Sequence, residues 1–116
     1  MEDSILLTVR NLIGGEEFGE AFDQDLILHI NTILDILVHQ FGIGPTSGFC
    51  INGPEETWSQ FIGTSDKYNA VKSYVVLRVR LIFDPPTSSF VLNAMNDTMR
   101  ELEWRLSVDE DESHRV

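Results

Sequence analysis

Few residues in this chain have the type and spacing for chemistry, and each has a plainer reading beside the chemical one. Asp25 and His29 stand four apart, a spacing that brings two ligands to one metal on a helix face. No third ligand lies at sequence range, so a surface pair is the better reading; His39 reads as helix surface too. Cys50 is the only cysteine. It has no Lys, Arg or His close in sequence to lower its pKa, which points to a plain loop or core thiol. The run GIGPTSG at 42–48 has the glycines of a phosphate loop. It lacks the terminal Lys-Ser/Thr and follows a helical pattern rather than a strand. Glu16, Glu17 and Glu20 read as a solvated acidic connector rather than as acid–base groups. The run from Asp109 to Glu112 lacks the glycine and alternating spacing of a calcium loop. No catalytic, cofactor or metal site is assigned, and no enzymatic activity is expected.

Three cations, Lys72, Arg78 and Arg80, carry more information, because they sit inside the densest apolar run of the chain, residues 68–90. A buried cation without a partner is very costly. Either these side chains reach solvent, or they meet carboxylates of another copy. Charge distribution makes the second reading physical. Residues 1–56 hold ten acids and one base, residues 57–107 five acids and six bases, and residues 108–116 four acids and one base. An acidic first half and a near-neutral second half with cations attract one another between copies. On this reading Lys72, Arg78 and Arg80 form one side of a subunit interface, and Asp23 and Asp25 the other.

Composition narrows the field further. The chain has 116 residues, one domain's worth, with 42% hydrophobic and 23% charged residues, which fits a folded chain rather than a disordered one. A formal net charge of −11 argues against a nucleic-acid grip and against an anionic membrane surface. A single cysteine allows no intrachain disulfide and fits a reducing compartment. The N-terminal MEDSILLTVR has acids where a signal peptide has bases, and the longest apolar stretch is cut by charge well short of a membrane span.

The elements that must position these residues are helices. Asp3 or Ser4 can cap a first helix whose Ile5, Val9 and Leu12 share a face, with Gly14-Gly15 ending it. Asp23 can cap a long helix with one stripe of Leu26, Ile30, Ile33, Leu37 and Phe41 and a second of Ile27, Leu34 and Val38. Gly42 closes it. Residues 42–54 form a long loop rich in glycine and proline. Residues 55–61 allow one short helical turn with Trp58 and Phe61 facing inward. Residues 67–83 are rich in β-branched residues, but seventeen residues without Gly or Pro are ordinary for a helix and long for a strand. Asp84, before Pro85, ends that helix. Thr87, Ser88 or Ser89 caps a last helix with a stripe of Val91, Ala94, Met95, Thr98, Leu102 and Leu106. The expected fold is all-α: a small bundle of four main helices near 3–13, 23–41, 67–83 and 88–106, a long irregular loop, and an extended acidic tail at 107–116 beyond a helical domain at 1–106.

The order and spacing of DQDLILHINTILDIL at 23–37, GIGPTSGF at 42–49, EETWSQFIG at 55–63, VKSYVVLRVRLIFDPPTSSFVLNAM at 71–95 and RELEWRL at 100–106 resemble the head–tail connector (adaptor) proteins of long-tailed bacteriophages. The most specific part is RLIFDPPTSSF followed by RELEWRL. The resemblance implies a structural virion protein made in the bacterial host cytoplasm, with about twelve copies forming a homo-oligomeric ring below the portal. Such a ring joins capsid to neck or tail and extends the channel through which DNA passes without specific binding. The implied partners are the portal protein and a stopper or tail-completion protein, with no membrane and no cofactor. The C-terminal region faces the portal in that family, which implies portal contacts from Leu106, Val108, Asp109, Glu110, Asp111, Glu112, His114, Arg115 and Val116. Gly44, Pro45, Phe49 and Ile51 in the long loop would then face the lumen or a neck protein. The competing reading, from the residues alone, is a cytosolic helical dimer acting as a regulator or small chaperone.

Overall fold

In the computed structural model the chain is described over residues 3–13, 22–63, 67–83 and 85–115, with side chains described as far as residue 107. Five helices follow in order: α1 (Ile5–Leu12), α2 (Asp23–Phe41), α3 (Trp58–Ile62), α4 (Tyr68–Phe83) and α5 (Ser89–Arg115). Among the described residues there is no strand, only an isolated antiparallel bridge between Ser4 and Thr57.

The core forms around α2. Leu26, Ile30, Ile33, Leu34, Leu37, Val38 and Phe41 are all buried, so both apolar stripes of this helix are covered. A stripe this wide needs more than one neighbour, and α2 packs against α1, α4 and α5. Its end is set by Gly42, whose φ of 68° is left-handed; the Leu37 carbonyl accepts the N–H groups of both Gly42 and Ile43. At its start the expected cap is absent. Phe22 occupies the N-cap position, and both carboxylate oxygens of Asp23 instead accept from the Arg10 guanidinium at 2.9 Å. The anion still lies in the first turn, where the helix dipole favours it.

α1 is fixed at its N-terminal end. The Ser4 hydroxyl caps it by accepting from the Leu7 N–H. The Ile5 N–H donates to the Glu56 carbonyl at 3.1 Å, and the Trp58 N–H donates to the Asp3 carbonyl at 2.9 Å. The Asp3 carboxylate accepts from the Ser59 N–H and from the Tyr68 hydroxyl. One residue thus ties α1 to α3 and to the first turn of α4. Trp58, fully buried, satisfies its indole N–H on the Thr8 hydroxyl at 3.2 Å. α3 begins later than the sequence suggests, at Trp58, because Thr57 and Gln60 form a reciprocal capping box there.

α4 is helical despite its β-branched content, since packing outweighs propensity. Val71, Tyr74, Val75 and Val79 are buried, whereas Ile82 near its end is exposed. α5 departs from expectation twice. Its inward face carries Leu92, Met95, Met99, Leu102 and Leu106, while Val91, Ala94 and Thr98 look outward. Both series run at three- and four-residue steps, and the one with the larger apolar side chains wins the interior. The expected extended tail is also absent. The helix runs on through Arg115, and no glycine or proline follows Pro86 to stop it. At 1.5 Å per residue α5 is about 40 Å long, within a domain whose largest extent is 47 Å. The glycines at 14–15 and the turn at 64–66 lie outside the described residues.

Two outcomes follow for stability. A Cβ at Gly44, where φ is +91°, would meet Phe61 Cε1 at 2.6 Å, whereas a Cβ at Gly48, where φ is +96°, meets open space. Both alanine substitutions carry left-handed strain, but Gly44→Ala also overpacks the core. It should cost about 1–3 kcal/mol more than Gly48→Ala in chemical denaturation. The second concerns acid. The hydrogen bond from Tyr68, then those from Ser59, hold the Asp3 carboxyl below its ordinary 3.8. A depressed carboxyl stabilises the fold above its unfolded pKa and loses that contribution as pH falls through the lower, folded value. Asp3→Asn should therefore lower the melting temperature at neutral pH, and the gap to the parent chain should shrink at pH values below 3.8. A gap independent of pH would contradict this.

Candidate functional site

The residues with informative charge are not gathered into one site. Arg78 faces its own chain: its guanidinium donates to the Tyr74 hydroxyl at 3.2 Å and lies 3.8 Å from Glu103. Tyr74 is fully buried and donates to Glu103 at 2.8 Å. Burial, then the bond to Glu103, pushes the Tyr74 phenol up to about 12, so it stays protonated and donating. Arg78, Tyr74 and Glu103 form a tie between α4 and α5. The partner expected on another subunit lies, for this arginine, within the chain. Asp23 is likewise held by Arg10. Lys72 lies over the Tyr68 ring, 5.1 Å from its centre. Arg80 and Asp25 are exposed and make no ion pair among the described residues.

The long loop is anchored rather than loose. The Asn31 side chain on α2 accepts from the Ile51 N–H at 2.7 Å and donates to the Ile51 carbonyl at 3.0 Å. Ile51 is fully buried. Phe49 is half-buried and packs on Phe61, ring centres 5.3 Å apart. Gly44 approaches the same Phe61 ring, with Pro45 half-buried beside it. The Glu56 carboxylate accepts from the N–H groups of Asn52 and Gly53, closing the turn into α3. Of the four residues expected at a lumen or neck surface, Ile51 serves the core, and the loop presents Thr46, Ser47 and exposed Cys50 instead. Cys50, Ser47 and Phe49 border a hollow beside Leu28, Thr32 and Asp35 of α2.

Of the residues assigned to the C-terminal contact, Leu106 is fully buried in the core. Val108, Asp109, Glu110, Asp111, Glu112, His114 and Arg115 continue the α5 backbone; Val116 lies outside the described residues. His29 packs edge-on against Phe83 at 5.2 Å, and no group of three metal-ligating side chains occurs among the described residues.

Sequence reasoning missed three features. The Tyr74–Glu103 bond joins residues far apart in the chain and has no local signature. Asn31 did leave a trace: it falls between Ile27 and Leu34 on an apolar stripe, and a polar residue in that phase is expected to have a specific partner. The third is a groove of about 510 Å³ on the outer side of α4, bordered by Leu12, Lys72, Ser73, Val76, Leu77 and Thr98. Among the described residues, Leu12, Leu28, Phe90 and Trp104 are each at least 60% exposed. For large apolar side chains in a small domain this is unpartnered surface.

No helix among the described residues is long and apolar enough to cross a membrane. Neither a curated protein nor a solved structure matches the chain significantly. The profile of the phage connector proteins, however, matches residues 5–113. That span takes in α1 to α4, the anchored loop and α5 as far as residue 113, and the family is a structural one of the virion. The chain therefore belongs to the phage connector protein family.

Proposed function

We propose that this chain is the head–tail connector subunit that forms a ring beneath the portal vertex, prolongs the DNA channel and offers its far side to a stopper or tail-completion protein. The observation that carries this reading is family membership over residues 5–113. Two properties of the domain support it. Exposed apolar side chains are spread over α1, α2, α4 and α5, with Leu12, Leu28, Ile82, Phe90 and Trp104 among them. A subunit that meets two neighbours, a portal above and a neck protein below needs several such patches. The net charge of −11 suits a channel that DNA traverses, since an acidic wall repels phosphate and gives the duplex nothing to grip.

Within that reading, the C-terminal segment from Val108 to Val116 is the contact to the portal. It carries four consecutive acids, Asp109 to Glu112, which suit a basic or hydrogen-bonding partner. As the end of a long helix it can reach away from the bundle, a different geometry from an added strand. The exposed crest of the loop, beside Gly44 and Pro45, faces the lumen or the neck protein.

Deletion of residues 108–116 removes nothing from the described core, whose last member is Leu106. The truncated chain should melt within a few degrees of the parent, yet attach poorly to DNA-filled heads in a sedimentation assay. Full attachment by the truncated chain would overturn the assignment of this segment.

A further inference from the structure

The ring reading leaves open which surfaces of neighbouring subunits meet. We propose that the outer edge of α2 in one copy seats in the groove between α1, α4 and α5 of the next. This inference rests on the ring reading and adds the pair of faces to it.

Both faces carry exposed apolar side chains, Leu28 on one and Leu12 on the other, and they look away from each other. Helices α2 and α4 pack together, α2 burying the stripe from Leu26 to Phe41 and α4 burying Val71, Tyr74, Val75 and Val79. At 100° per residue, Asp25, Leu28, Thr32 and Asp35 fall on the side of α2 opposite its buried stripe. Ser73, Val76 and Arg80 fall on the side of α4 opposite its own, with Lys72 on the flank between the two. One domain thus carries two different faces on nearly opposite sides. A contact between unlike faces is head-to-tail, and faces set nearly opposite close only after many copies, as a large ring requires.

The faces also match in chemistry. On α2, exposed Leu28 is the apolar centre, flanked along the helix by Asp25 and Asp35. On the other face the apolar centre is Leu12, Val76 and Leu77 around the groove, flanked by Lys72 and Arg80. Asp25 and Asp35 are about 15 Å apart along their helix, and Lys72 and Arg80 about 12 Å along theirs. A ridge with one apolar knob between two anions meets a groove with an apolar floor between two cations. Asp35 makes only an exposed contact with His39 at 3.1 Å, which a second partner can join; of the other charges nearby, Asp3 is held by Tyr68 and Ser59 near Lys72, and Glu101 pairs with Arg105 at 3.1 Å.

The test is cross-linking of the full chain, alone and on its portal ring, with Thr32→Cys and Ser73→Cys together in a Cys50→Ser background. Both positions are exposed, and a short bismaleimide joins them only across the proposed contact. The expected result is a ladder of three and more linked copies from the double variant, with dimers at most from either single variant. Multimers in sedimentation without a ladder would overturn the pairing of faces while leaving the ring reading intact. No multimer, alone or on the portal, would overturn both.

Discussion

The rest of the structure depends on the need to cover α2 on several sides. Seven of its side chains are buried along two stripes, and no single helix can span an arc that wide. The chain answers with α1 on one flank, α4 on another and α5 beyond. At roughly 1.5–3 kcal/mol for each large apolar side chain removed from water, this helix is the largest single source of hydrophobic stabilisation in the fold. Everything that fixes α1 and α4 in place therefore acts through α2.

Those fixings are polar, and each belongs to a buried or half-buried group that cannot be left alone. Trp58 donates to Thr8, Tyr74 to Glu103, and Asn31 closes both backbone bonds of Ile51. Among the described residues no buried side-chain polar atom lacks a partner. Asp3 gathers α1, α3 and α4 at one point, and the Tyr68 phenol it accepts from is raised to about 12 by that bond. Removing one member of such a pair strands the other, which costs more than the bond itself is worth. The domain is therefore specified at a few points of contact between helices as well as by its apolar volume.

Much of this was legible in the sequence, and the failures have physical reasons. The bounds of α2 follow from its two stripes and from Gly42, and α4 from its length between breakers. The inward face of α5 did not follow, because Val91, Ala94 and Thr98 match helical spacing as well as Leu92, Met99 and Leu106 do; only side-chain volume separates the two series. Composition alone points to an extended acidic end, yet the helix of α5 continues through it. For the candidate surfaces, the sequence marked out three cations but not which of them is engaged within the chain. Arg78 finds Glu103 through Tyr74, a meeting set by how α4 packs on α5 and invisible along the chain. Arg80 lies exposed on the outer side of α4 and Lys72 on its flank over the Tyr68 ring, a distinction that spacing alone does not draw.

What emerges is a subunit with a firm interior and apolar surface to spare, in a family whose role is to join parts of a virion. The most direct test of that picture is electron cryo-microscopy of the full chain assembled on the portal of its phage. The expected image is a closed ring of copies coaxial with the portal, each copy meeting two neighbours through unlike faces. A two-fold dimer, or a portal left bare, would contradict it.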